Sequence, residues 1–208
     1  MKQTKIPAVT INRLSFYARY LFLLNLKDVN VVSSTQLARA CGVNSAQIRK
    51  DLAYFGQFGV RGIGYYVKDL LAELQRILGL NKKWRLGLVG VGNLGAALLR
   101  HTHIHHPGYT FVNAFDHDPK RIGVQVGNLI VDPVDEMEET VKTAGIQIGV
   151  IATRNKMAQQ SVDRFIKGGV RGILSFATVQ LQIPPDVHIE HVDFILKLDA
   201  LCYRLTAN

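Results

Sequence analysis

The residues best equipped for chemistry sit in a few short stretches of this 208-residue sequence. At 89–95 the run VGVGNLG spaces Gly90, Gly92 and Gly95 as G-x-G-x-x-G. In that spacing the first glycine permits a tight turn, the second lets a pyrophosphate approach the backbone, and the third lets a helix pack close to its strand. A helix opening at such a turn adds free N–H groups and a partial positive charge for phosphate. Val91, Asn93, Leu94 and Ala96 complete the candidate cradle. Asp116 ends the apolar run TFVNAF. An acid about 20 residues past the glycines is placed to accept hydrogen bonds from ribose hydroxyls, and it would repel a 2′-phosphate. The expected ligand is therefore NADH/NAD+ and not the phosphorylated form, with Asp118 as a second candidate acid. Arg121 is a counter-signal, because arginine can accept that phosphate. Thr153 and Phe176 end two later apolar runs, IQIGVIAT and RGILSFA, where strand ends line the ligand crevice of doubly wound sheets.

A second constellation precedes the glycines. NSAQIRKDLAYFG reads as a helix capped by Asn44 or Ser45, with Ile48, Leu52 and Phe55 facing inward at i, i+4, i+7. Gln47, Arg49 and Lys50 project from other faces near its start, where a recognition helix meets base edges. FGQFGVRGIGYYV follows, with four glycines breaking an aromatic and β-branched stretch. It reads as two short strands and a tight turn, a wing whose tip presents Arg61 to a minor groove. The candidate DNA-binding set is Ser45, Gln47, Arg49, Lys50, Tyr54, Arg61 and Tyr65.

Two other groups of reactive side chains carry less. RHTHIHHPG places His101, His103, His105 and His106 together, but no acidic or Cys partner is adjacent. HIEH at 188–191 has the wrong spacing for the helical zinc motif. No metal site is expected. Cys41 and Cys202 are far apart and cannot form a disulfide framework.

The elements that must carry these residues are legible from periodicity. TINRLSFYARYLFLLNLK repeats Ile11, Leu14, Tyr17, Leu21 and Leu24 at helical spacing, with Thr10 as candidate N-cap. VVSSTQLARACGV is a short helix capped by Ser33 or Ser34 and ended by Gly42. With the helix at 45–55 these form a helix-turn-helix. VKDLLAELQRILGL closes the module, stopped by Gly79. Beyond the short polar linker LNKKW, strands and helices alternate, the pattern of a parallel doubly wound sheet. The charge follows this division. Residues 1–84 hold thirteen Lys or Arg against four Asp or Glu, and residues 85–208 hold twelve of each. The whole +9 excess lies within residues 1–84, the front module and its linker, which suits a polyanionic partner. No apolar run is long enough to span a bilayer and the N-terminus lacks a signal-type apolar core, so a cytoplasmic protein without membrane contact is expected.

Taken together, QIRKDLAYFGQFGVRGIGY, LGLNKKW, VGVGNLG, FDHDP, GILSFA and HVDFILKL resemble the Rex family of redox-sensing transcriptional repressors over nearly the whole chain. The resemblance implies an α/β protein with a winged helix-turn-helix domain at 1–80, a Rossmann-like NAD(H)-binding domain at 81–190, and a C-terminal helix at 191–208 that is swapped onto a partner. It implies a homodimer that binds palindromic operator DNA and is released when NADH binds, NAD+ opposing release, to control fermentative and respiratory genes. By the same resemblance Asp193 and Phe194 lie near the nicotinamide, and Asp193 pairs with Arg19 as an interdomain switch. His101 stands where the family carries an aromatic. In the C-terminal segment Ile195, Leu198, Leu201, Cys202 and Leu205 share one face. The competing reading is a small NAD-dependent oxidoreductase with a basic N-terminal extension. It is disfavoured because about 125 residues leave no room for a substrate domain, and no enzyme activity is expected.

Overall fold

The computed structural model describes residues 6–100 and 108–207. Two compact units divide between Lys82 and Lys83.

The front unit is helical. α1 (Ala8–Asn25) starts at Pro7, whose fixed φ of −61° suits the entry to a helix. Thr10, expected as the cap, instead lies buried inside the first turn, where its hydroxyl is turned inward. Leu14, Tyr17, Ala18 and Leu21 are buried along the same helix. α2 (Ser34–Cys41) is opened by a capping box between Ser33 and Gln36, and α3 (Ser45–Ala53) by Asn44, whose side chain accepts from the Gln47 N–H at 2.7 Å. α4 (Val67–Ile77) buries Val67, Leu70, Leu71 and Leu74 against the shared core.

Between α3 and α4 the structure departs from the expected two-stranded wing. One reciprocal pair, Val60 with Gly64, closes a loop tipped by Arg61, Gly62 and Ile63. The strand that follows, β2 (Tyr65–Tyr66), pairs antiparallel with β1 (Val31–Val32), which lies before α2. The reason is local. Gly64 has φ +111°, and a Cβ there would stand 2.6 Å from the Val32 carbonyl oxygen, so the chain bends onto β1 and does not extend a hairpin.

The rear unit is a seven-stranded sheet in the order β5-β6-β4-β3-β7-β8-β9, parallel except for the edge pair β5–β6. Its strands are β3 (Trp84–Val89), β4 (Tyr109–Asp116), β5 (Gln125–Val126), β6 (Leu129–Pro133), β7 (Ile148–Ile151), β8 (Gly172–Ser175) and β9 (His188–His191). α5 (Asn93–Arg100), α6 (Met137–Thr143) and α7 (Asn155–Lys167) connect them. One core surrounds Phe115, Ile151, Val162 and Phe165, and a second surrounds Leu88, Ala114 and Val131. The chain runs outward from β3 to β4 and β6, then returns to β7 beside β3. Ligands of open α/β sheets bind at that reversal, beyond the strand ends. The HIEH segment forms the edge strand β9, and the four histidines of RHTHIHHPG lie outside the described residues. α8 (Phe194–Thr206) ends the chain, with no buried side chain.

Candidate nucleic-acid interface and cofactor crevice

In the front unit α3 presents Arg49 and Lys50 exposed, while Ile48 and Leu52 are buried at 0% and 3% exposure. Arg49 reaches the Ser34 hydroxyl at 3.4 Å, so it crosses toward the start of α2. Ser45 opens α3, and Tyr54 follows it, 39% exposed, with its ring edge-on to Phe55. An open groove separates α3 from the wing, lined by Arg49, Ala53, Arg61 and Gly62 among others. Arg49 on one wall and Arg61 on the other give it cationic edges, which suits phosphate and base-edge contacts.

Two of the expected DNA contacts are placed otherwise. Tyr65 is buried at 6% exposure, because on β2 it faces the core opposite Val32. Strand alternation turns the next residue outward, so Tyr66 is the exposed tyrosine. Gln47 is half-buried and donates through Nε2 to Asp51 at 2.8 Å.

Asp51 itself was not singled out by spacing. Its carboxylate is 1% exposed and accepts from Arg13 Nε and Nη2, both at 2.6 Å, from the Tyr17 hydroxyl at 2.8 Å and from Gln47. The Thr10 hydroxyl also donates to it, at 3.4 Å. Burial alone would push this carboxyl up. The Arg13, Tyr17 and Gln47 donors outweigh that and hold it below the usual carboxylate range. Burial and the bond to Asp51 push the Tyr17 phenol up. The network joins the first turns of α1 to the helix that carries Arg49 and Lys50. The sequence signal was an acid inside an otherwise basic helix, at a position that periodicity assigns near the core.

In the rear unit the glycine turn sits at the end of β3. Gly90 has φ +94°, and a Cβ there would stand 2.7 Å from the Ala152 backbone. A Cβ on Gly95 would collide with the Gly90 carbonyl oxygen. The fold itself therefore demands both glycines. Gly92 is different: a Cβ there would meet only Arg121 Nη1, at 3.9 Å. No packing within the described residues demands a glycine at 92, and the open space over it fits a ligand's close approach. Val91 is buried, while Asn93 and Leu94 are exposed at the start of α5, whose Ala96 N–H bonds the Gly92 carbonyl at 2.8 Å.

The crevice beside this turn is narrow, with room for about one water, and is lined by Gly90, Asp116, Thr153, Met157 and Arg164 among others. Thr153 Oγ1 is buried and has no hydrogen-bond partner among the described residues. A buried hydroxyl without a partner is uncommon in folded proteins and points to a bound group. The open cradle and this free hydroxyl fit a dinucleotide. Phe176 continues β8 half-buried, its N–H bonded to the Ile151 carbonyl at 2.9 Å.

Asp116 stands where the sequence places it, but not as a free ribose acceptor. Its side chain is 1% exposed and accepts from the Val91 N–H at 2.7 Å, the Asp118 N–H at 2.9 Å and Arg121 Nη1 at 3.1 Å. Burial would raise this carboxyl, and the two backbone donors with Arg121 bring it below its ordinary value. Asp118 is more open. Asp193 caps α8, accepting from the Ile195 N–H at 2.9 Å, and Phe194 is 68% exposed. Arg19 is exposed on α1.

Residues 5–53 match a family described as "Putative DNA-binding protein N-terminus", and residues 81–179 match one described as "CoA binding domain". A redox-sensing transcriptional repressor Rex of Syntrophobacter fumaroxidans is 50% identical, with 99% of each chain covered. Its namesake from Solidesulfovibrio magneticus is 45% identical over 100% of this chain and 94% of its own. These relatives are named as repressors and not as enzymes. Among solved structures, that of RSP in complex with β-NAD+ and operator DNA superposes with a TM-score of 0.91 at 35% identity, covering 98% of this chain and 94% of the other. RSP in complex with β-NADH gives 0.87 at 33% identity over 98% and 96%. No described helix is long and apolar enough to cross a membrane. On this evidence the chain belongs to the Rex family of redox-sensing transcriptional repressors.

Proposed function

We propose that this chain acts in the cytoplasm as a homodimer. It holds a palindromic operator through α3 and the wing, and lets go when NADH occupies the crevice beyond β3 and β7, with NAD+ opposing release. The genes it controls are proposed to be those of fermentation and respiration. The observation that carries the reading is that one chain holds both halves of a sensor. An exposed Arg49–Lys50 pair sits on a capped helix, a phosphate cradle has open space over Gly92, and the Thr153 hydroxyl has no partner among the described residues.

Gly90 to Ala96 would hold the pyrophosphate through backbone N–H groups at the start of α5. Thr153 and Phe176, at the ends of β7 and β8, would line the nicotinamide side. NADH supplies the redox signal as a regulatory ligand, and this chain's task is to bind it and change its grip on DNA. α8 buries none of its side chains, which supports a helix swapped onto the partner, with Asp193 and Phe194 delivered near the partner's crevice and Asp193 set against Arg19.

The test is a fluorescence-anisotropy titration of a palindromic duplex with no dinucleotide, with NADH and with NAD+. Tight binding that NADH abolishes and NAD+ preserves is expected. Operator binding indifferent to NADH overturns the sensor reading, and NADH consumption with an added carbonyl substrate would favour the oxidoreductase.

A further inference from the structure

The outer face of α3 is not uniform. Ala46, Arg49, Lys50 and Ala53 are exposed, whereas Gln47 is half-buried beside the carboxylate of Asp51. Its Nε2 donates to Asp51 Oδ1 at 2.8 Å. The same oxygen accepts from Arg13 Nη2 at 2.6 Å, and Oδ2 accepts from Arg13 Nε at 2.6 Å and from the Tyr17 hydroxyl at 2.8 Å. Arg13 and Tyr17 of α1 thus fix the carboxylate, and the carboxylate fixes the amide.

The chemistry of the pair decides which way the amide points. An ionised carboxylate only accepts, so Gln47 meets it with nitrogen and not with oxygen. A primary amide carries two N–H donors and one carbonyl acceptor. The bond to Asp51 withdraws one N–H and leaves Oε1 and the second N–H for a partner outside the chain. The backbone is held too, because the Gln47 N–H donates to the Asn44 cap at 2.7 Å. Gln47 therefore sits in the first turn of α3, the part of a recognition helix that meets base edges. A donor and an acceptor held on one planar group match adenine in the major groove, where N7 accepts and the N6 amino group donates. Guanine offers two acceptors there, cytosine one donor, and thymine one acceptor.

We propose that Gln47 reads an adenine in each operator half-site, and that Asp51 is the positioning residue that sets the direction of its amide. The proposal rests on the operator-binding reading above. It gives the one acid of a basic recognition helix a task that needs no contact with DNA. Asparagine at 51 offers both an N–H and a carbonyl, so Gln47 can then meet it either way round, and its outer edge loses its fixed order.

The test selects palindromic duplexes with randomised half-sites on the full-length protein and its variants, then measures anisotropy on the selected duplex. Wild-type protein is expected to select an adenine at one position of each half-site. Replacing that adenine by 7-deazaadenine removes N7 and keeps the Watson–Crick pair, and should weaken wild-type binding by roughly fivefold per half-site, the worth of one hydrogen bond. Gln47→Met, similar in length and without the amide, should bind both duplexes alike and lose the adenine preference, a change of roughly tenfold to a hundredfold per half-site. Asp51→Asn should blur the preference at that position and leave the others in place, which loss of general structure would not do. Tyr17→Phe removes a donor from the carboxylate oxygen that Gln47 does not use. It should lower the melting temperature and leave the base profile unchanged. If Asp51→Asn does not fold, Gln47→Met and Tyr17→Phe decide together. A 7-deazaadenine penalty that persists in Gln47→Met, or a Gln47→Met profile identical to wild type, overturns the adenine reading. An Asp51→Asn profile as sharp as wild type, or the same blurring in Tyr17→Phe, overturns the role of Asp51. Wild-type protein that selects no sequence overturns the operator reading itself, a different and distinguishable failure.

Discussion

A buried hydroxyl without a partner costs stability unless a ligand meets it, which makes Thr153 the most informative side chain of the rear unit. Thr153→Val keeps the shape and removes the oxygen. The free protein should then be as stable as wild type or slightly more so, while NADH affinity falls by about 1–2 kcal/mol. Thermal melts with and without NADH check both, and a variant that melts lower without ligand and binds unchanged would refute the assignment. Arg49 and Lys50 are the counterpart in the front unit. Both are exposed, so alanine at either should shift stability by no more than about 0.5 kcal/mol. Operator affinity should drop by about 1–3 kcal/mol for each lost base contact, and twice that in a two-fold complex. Anisotropy with operator and with unrelated duplex separates reading from simple charge. At this scale residue type and spacing showed the glycines, Arg49 and Lys50 in the sequence. They did not show that Tyr65 points inward or that Asp116 already accepts from Val91, Asp118 and Arg121. Orientation depends on β1, a two-residue strand too short for periodicity to register, and on backbone N–H groups that no residue letter records.

Elements were legible where their periodic faces are long and their caps ordinary. α2 and α3 begin at Ser33 and Asn44 because those side chains accept the first free N–H groups. α1 begins two residues before its hydrophilic candidate because Pro7 supplies the starting φ, which leaves Thr10 free to join the Asp51 network. The edge pair β5–β6 was missed for the same reason as β1: two to five residues show no alternation. The Asp51 network ties α1 to α3 through side-chain hydrogen bonds. Asp51→Asn should cost about 2–4 kcal/mol, because Arg13 loses its bidentate partner and the buried donors are left poorly matched. The folded carboxyl titrates below its unfolded value near 3.9. Its contribution is therefore fully present above about pH 4 and lost as pH falls through the lower folded value. Chemical denaturation of wild type and variant should show a constant gap from pH 7 to about pH 4 that narrows below it. A gap that widens in acid would exclude the assignment.

At the scale of the molecule, a ligand in one unit must alter DNA binding by the other, and α8 is the element that bears on it. Phe194, Leu196, Tyr203 and Leu205 are each more than 60% exposed, and no residue of the helix is buried. An apolar helix uncovered by its own chain is hard to keep in water, since each fully exposed side chain of this size forgoes roughly 1.5–3 kcal/mol of burial. A two-fold exchange of α8 between subunits would cover it and make the dimer depend on it. The dimer in turn sets the spacing of two α3 helices, which must match half-sites about one helical turn apart or a multiple of that. Truncation before Val192 should therefore convert the dimer to monomer in sedimentation velocity. It should weaken palindromic operator binding far more than binding to a single half-site. A further constraint holds for the intact protein. If NADH lowers operator affinity by some factor, operator must lower NADH affinity by the same factor, because both describe one coupling free energy. Titrating NADH into free protein and into the operator complex measures that factor independently of the DNA assay. Equality is required by linkage whatever the route, so the titration gives the size of the coupling and the truncated chain tests whether α8 carries it. A truncated chain that stays dimeric and still releases DNA on NADH would place the coupling elsewhere than in α8.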